Sequence, residues 1–396
     1  LPILNAPTRT GSNHAGRVRP GLTDAGERAT ILPPGCLCRA AGLSDPVCQP
    51  GAREGVGDPW HHLRMTTTVR TARITGSGDS PTRLHWTPPG PVHLGQTLRV
   101  LGRGADDPTV RILNEDCVWI TTRSSGLPVS ARFSRPPRVA GENPLDRDVV
   151  VDAWGPGAQQ WLPSAPRWVG HGDSWEEFES SAGFAQLPHR LVRARHDHPG
   201  MRLPATGTVL DRAVVSILEQ RVTAIEAVRA YRALLRWIGE EAPGPAPRGM
   251  RVPPTAEQWR RVPSWQWHRA GVDPARSATV MRTVQRASAL ERLGREPDPA
   301  RVRAAVQSIS GIGVWTAAEI TQCTHADPDG VSVRDFHLAD YVCWFFDGAP
   351  GSDERMLELL EPWRGHRQRV VRLIKASGHR KPAFGPRLTP QDHRHH

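Results

Sequence analysis

A chain of 396 residues is too long for one ordinary domain and fits two or three. Hydrophobic residues make up 38%, enough for packed cores, yet no stretch approaches the ~18 consecutive apolar residues of a spanning helix, so that class is excluded and no membrane partner is expected. The formal net charge of +11 points to an acidic partner, nucleic acid first, and the 51 basic residues include only two lysines, Lys375 and Lys381, which sets any lysine nucleophile at a disadvantage.

Residues 1–64 hold eight Pro, nine Gly and one aromatic, Trp60. Such a segment cannot offset its ordering entropy by burial. We read it as a disordered tail or as an extension upstream of Met65, the first methionine. Within it, Cys36, Cys38 and Cys48 lack the spacing of a zinc ribbon. The remaining cysteines, Cys117, Cys323 and Cys343, are scattered, so reduced thiols in a cytoplasm are expected, with no metal or iron–sulfur site.

Residues 65–155 read as a small β-rich domain. Short β-branched or alternating runs at Thr97–Leu101, Thr109–Leu113, Val118–Thr121, Val129–Phe133 and Val149–Val151 are separated by Gly, Pro, Asn and Asp. Residues 156–203 are rich in Gly, Pro and Trp and read as a connection with one short helix. From 204 to 376 the apolar period becomes helical. Thr208 with Asp211 has the pattern of a capping box, and Leu210, Ala213, Val214, Ile217 and Leu218 share one helical face. Further helices are expected to Trp237, over 255–262, 274–293, 299–308, 314–323, 335–347 and 352–376. Asp298 and Pro299 mark the start of one of them. Residues 377–396 read as a basic tail with nonspecific attraction for DNA. The fold class is α+β, a β-rich domain followed by an all-α one.

The most informative stretch is Val306-Gln307-Ser308-Ile309-Ser310-Gly311-Ile312-Gly313-Val314-Trp315-Thr316-Ala317-Ala318. One helix ends, a Gly-Ile-Gly turn follows, and another helix starts at once. The two glycines permit a tight turn with positive φ, and the first amides of the second helix face outward. A backbone phosphate fits there without any base being read. Taken alone, the turn suits an ordinary αα-hairpin equally well. Downstream, Asp327-Pro328-Asp329-Gly330 forms a loop, and Asp335 precedes the apolar run Phe336–Phe346.

Hairpin, loop and aspartate together resemble the helix-hairpin-helix (HhH-GPD) DNA glycosylase superfamily, in particular the 3-methyladenine DNA glycosylase II type. The resemblance covers roughly residues 204–375, with Ser310 where the family has proline. It implies a curved N-terminal sheet with helices, double-stranded DNA with a damaged base as partner, a monomer, and no organic cofactor beyond a monovalent cation at the hairpin. Gly311, Ile312, Gly313 and Thr316 fall on its phosphate-binding turn, and Asp335 on its catalytic acid. Independently, cleavage of an N-glycosidic bond builds positive charge on the sugar, which a fixed carboxylate stabilises. The bland reading of Asp335 is a helix cap.

Trp315 stands where related lyases carry a lysine, and no other lysine is near in sequence, so water is the expected nucleophile. An indole face attracts a cationic alkylpurine by about 0.5–2 kcal/mol. Glu319, one turn on, either complements such a base or is a solvated helix residue. By the resemblance, Gln220 and Arg221 fill the gap left by the flipped base, Trp265 lines the base pocket or packs between helices, and Arg276 binds phosphate. The implied activity is monofunctional hydrolysis of alkylated purines in base-excision repair. The alternatives are a non-catalytic DNA-binding hairpin protein and a glycosylase for another damaged or mispaired base.

Overall fold

The computed structural model describes residues 70–72, 80–137, 141 and 143–382. The expectations for residues 1–64, for Met65 and for Cys36, Cys38 and Cys48 lie outside the described residues, as does most of the basic tail.

Six antiparallel strands form one sheet: β1 (Arg70–Ala72), β2 (Thr82–Trp86), β3 (Val110–Asn114), β4 (Cys117–Ser124), β5 (Leu127–Ser134) and β6 (Val149–Trp154), in the order β1-β2-β6-β5-β4-β3. The alternation that predicts strands also sorts their faces. Leu84, Trp86, Val118, Ile120, Val129, Ala131, Phe133, Val149 and Val151 point into one core. On the opposite face Trp119 stacks on Trp154 at 5.0 Å, and Met250 of the helical half covers them. Ser125 and Gly126, both at positive φ, make the two-residue turn between β4 and β5. The strand expected at Thr97–Leu101 is instead helix α1 (Leu94–Leu98). His93 caps it by accepting from the Gln96 amide, and Leu94 and Leu98, one turn apart, both enter the sheet core.

The stretch read as a connection carries five helices: α2 (Ala158–Trp161), α3 (Ala165–Trp168), α4 (Trp175–Glu179), α5 (Ala182–Ala185) and α6 (His189–Asp197). The first two cover the sheet through Trp161 and Trp168. The rest belong to a core with the C-terminal helices, built on Trp175, Phe178 and Leu191. Asp173 pins this core: it is fully buried, pairs with Arg369 at 2.5 Å, and accepts from Trp175 Nε1 and the Leu203 amide.

The helical half comprises α7 (Val209–Leu218), α8 (Ala224–Ile238), α9 (Ala256–Arg260), α10 (Ser264–Arg269), α11 (Pro274–Gln285), α12 (Ala287–Leu293), α13 (Pro299–Gln307), α14 (Val314–Thr324), α15 (Leu338–Phe346), α16 (Asp353–Leu360) and α17 (Arg367–Ala376). It is not wholly α, because β7 (Glu240–Glu241) pairs with β8 (Arg251–Val252) in the Pro/Gly loop. The helix expected over 352–376 breaks where Pro362 and Gly365, at φ +91°, interrupt it. Thr208 precedes α7 but caps nothing with its side chain, whose hydroxyl lies 3.0 Å from Thr206 Oγ1. True capping boxes form at Thr223 with Glu226 and at Thr255 with Gln258. Helices α7 to α14 share one core, and α15 to α17 share the other. Among the described residues no helix is long and apolar enough to cross a membrane.

Candidate active site

The site forms where these two helical cores meet. On one side is the hairpin between α13 and α14. Gly311 sits at φ +98°, and a Cβ there would collide with the Thr279 side chain, so the turn needs glycine for both backbone and space. Ile312 is buried in the helical core. Gly313 precedes α14, and no side chain caps the amides that open it. Gln220 ties the hairpin down: its Nε2 donates to Gly311 O at 3.0 Å and to Thr316 Oγ1 at 2.8 Å. Arg221, next in the chain, is exposed at the loop tip and held at φ +55°. The carbonyls of Ile309, Ser310 and Gly311 already accept from the Ile312 amide, Arg282 and Gln220.

On the other side is Asp335. Sequence reasoning starts a helix at this residue, but α15 begins at Leu338. The difference arises because the carboxylate itself turns back on the chain. Its Oδ1 accepts from the amides of His337 and Leu338 at 2.9 and 3.0 Å. The preceding Arg334 lies in the left-handed region at φ +70°, where the Asp353 carboxylate holds its amide. Asp335 is therefore a cap through one oxygen only. The other, Oδ2, accepts from Trp315 Nε1 at 3.2 Å. The rival acids are spoken for: Asp327 is buried against Arg303 and Thr321, and Asp329 pairs with Arg367 at 2.5 Å.

Trp315 and Asp335 line a cavity of about 700 Å³. Glu319 is on its wall, but both its oxygens are engaged, one by Arg212 at 2.8 Å and the other by Ser332 at 2.7 Å. Burial pushes the Cys323 thiol up to about 12, so the sulfur in this wall is a thiol and not a thiolate nucleophile. Burial, then Lys381, lowers the pKa of His337, which keeps its imidazole neutral. None of Arg212, Cys323, His337 and Ser332 stands out in sequence, because the wall draws them from α7, from α14 and from the loop before α15.

Three expectations need correction. Trp265 is 62% exposed and does not line the cavity, while Trp267 stacks on Trp259 at 5.7 Å within the core. A helix of six residues has room to bury one of two tryptophans two positions apart, not both. Arg276 is buried, with its guanidinium bonded to Asp273 and to the carbonyls of Leu218 and Gly271, so it holds the loop and is not presented to phosphate. Lys375, remote in sequence from Trp315, lines the same cavity, because α17 contributes to its wall.

No family model and no curated protein matches the sequence. Solved structures do match in shape. A 3-methyladenine DNA glycosylase from Archaeoglobus fulgidus superposes with a TM-score of 0.59 at 16% identity, over 74% of this chain and 97% of that one. The apo 8-oxoguanine glycosylase/lyase of Clostridium acetobutylicum gives 0.57 at 9%, over 78% and 98%. Its complex with double-stranded DNA gives 0.55 at 11%, again over 78% and 98%. The chain has the fold of the DNA glycosylases.

Proposed function

We propose that the chain is a DNA N-glycosylase of base excision. The observation that carries this reading is the pairing of Trp315 with Asp335 at one cavity, beside a hairpin whose helix-opening amides no side chain caps. A duplex held by backbone phosphate at Gly311–Thr316 places an extruded base in the cavity and its sugar beside the carboxylate. As the glycosidic bond lengthens, positive charge grows on the deoxyribose. Asp335 stabilises it, and its Oδ2 is placed to orient the attacking water. A non-catalytic clamp has no use for a carboxylate there.

For the lesion, Trp315 supports an alkylated purine of the 3-methyladenine type, whose positive charge an indole face attracts. The fold is shared with 3-methyladenine and 8-oxoguanine glycosylases alike, so it does not choose the lesion. A second reading, an uncharged damaged base, has an observation of its own. The wall carries Arg103, Arg212, Arg229, Arg232, Arg372 and Lys375 against only Glu219, Glu319 and Asp335. That balance disfavours a cation, and Glu319 is already spent on Arg212. Chromatography of the bases released from methylated and from oxidised DNA decides between the two. Asp335→Asn is expected to lower release by at least about 10²-fold while binding of abasic DNA persists. Undiminished release by that variant would sink the assignment.

A further inference from the structure

A second cavity lies outside the site described above. It is a groove of about 510 Å³ between α12 and α13, and its lining shares no residue with the cavity of Trp315 and Asp335. Its floor is apolar. Leu290 and Ile309 belong to the core of α7 to α14, and beside them Ala289, Leu293 and Ala305 are only half-buried. Its charge is one-sided. Arg286, Arg292 and Arg295 line the groove and are exposed, and among the described residues their side chains have no hydrogen-bond or ion-pair partner. Among the described residues the lining holds one acid, Glu296, whose Oε1 accepts from the Asp298 amide at 3.1 Å.

In the cavity of Trp315 and Asp335, by contrast, Arg103 pairs with Glu219 and Arg212 with Glu319. Three unmatched guanidinium groups around an apolar floor are complementary to a ligand that is acidic at its edges and apolar along its middle. We propose that this groove docks an acidic amphipathic helix of a partner protein. Two packed helices leave a trough into which a third lays one apolar face. Side chains on that face cover Ala289, Leu293 and Ala305, and flanking carboxylates meet the arginines. The rim runs from Arg286, which precedes α12, to Arg295, which follows it. The seven residues of α12 rise about 10 Å, so two to three turns of a partner helix span the rim.

Duplex DNA is the rival occupant. Its backbone offers phosphate to the arginines and nothing apolar to the floor, so the floor favours the peptide. The proposal does not rest on the glycosylase reading, because none of the groove residues takes part in the hydrolysis.

The test uses the full chain and a fluorescein-labelled peptide of about twelve residues, glutamates with leucines at i, i+3, i+4 and i+7, followed by fluorescence anisotropy. One control peptide has the same composition with the leucines scrambled. The other keeps the leucine pattern and replaces glutamate by glutamine. Expected is saturable binding of the patterned acidic peptide, at least about tenfold tighter than either control. Reversing the rim charge in the triple variant Arg286→Glu, Arg292→Glu, Arg295→Glu is expected to weaken binding by at least about tenfold, and Leu293→Glu in the floor to do the same. The variants at the exposed arginines carry the test should Leu293→Glu fail to fold. No saturable binding, equal binding of either control, or equal binding by the triple variant overturns the proposal. Undamaged duplex that displaces the peptide, and loses at least as much affinity in the triple variant as the peptide does, assigns the groove to DNA and overturns it too. Base release by the unaltered chain, measured separately, tests the glycosylase reading alone.

Discussion

At the scale of the residue, one hydrogen bond joins the side chain proposed to face the base to the one proposed to act on the sugar. Trp315 Nε1 donates to Asp335 Oδ2, while Oδ1 is committed to the amides that open α15. The carboxylate is thus fixed from both ends, and a fixed carboxylate costs no reorganisation when charge develops on the sugar. Trp315→Phe keeps an aromatic in the cavity and deletes the donor. Loss of a hydrogen bond to a charged group, about 1.5 kcal/mol, corresponds to roughly tenfold slower release, read by single-turnover kinetics. Arg276 makes the opposite case. A phosphate-binding arginine would weaken DNA binding on removal and lower the salt slope by about one. Buried against Leu218, Gly271 and Asp273, Arg276→Ala is instead expected to cost about 2–4 kcal/mol in urea unfolding and to leave the salt slope of DNA binding unchanged.

At the scale of the element, the hairpin is a tight turn held from behind. Gly311 has φ +98° and lies against Thr279 of α11, while Gln220 clamps its carbonyl from the end of α7. Gly311→Ala meets both the backbone penalty and the collision, together about 1–3 kcal/mol. Because the turn carries the outward amides, the loss is expected as roughly tenfold weaker binding of abasic DNA by fluorescence anisotropy, more than as a lower melting temperature. The hairpin was fully legible in sequence, since glycine spacing and flanking apolar helices are local signals. The loop before α15 was not. Its course depends on Asp335 bonding forward to His337 and Leu338 and on Asp353 holding Arg334, contacts that no propensity encodes.

At the scale of the whole molecule, the sheet and the helical half meet along a polar seam. Asp211 of α7 faces Thr109 and Thr121 of the sheet side and Tyr231 of α8 across a small cavity. Burial, partly offset by Arg123, raises its pKa to about 6. A carboxyl raised in the folded state favours folding when protonated. The contribution is full below the ordinary value near 3.8 and is lost as the pH rises through about 6. At pH 7.5 the ionised group therefore costs up to about 3 kcal/mol. Asp211→Asn is expected to raise the urea midpoint at pH 7.5 and to change it little at pH 4. Equal gains at both values would show that the seam does not titrate.

Local pattern determined much of this protein: the strands from 110 to 154, the helices from 209 onward, the Gly-Ile-Gly turn and the aspartate beyond it. Each follows from periodicity, caps and turn chemistry within a dozen or so residues. Three things were decided only in the folded chain. Residues 175–201 complete the core of the last helices, because their buried tryptophan and phenylalanine find partners about 150 to 200 positions away. Glu319 is neutralised by Arg212, from another helix. Lys375, whose distance in sequence argued against amine chemistry, is carried by α17 into the cavity of Asp335. Sequence separation is no measure of spatial separation once the chain folds back on itself, and the place of the last helix decides which of its side chains the cavity holds.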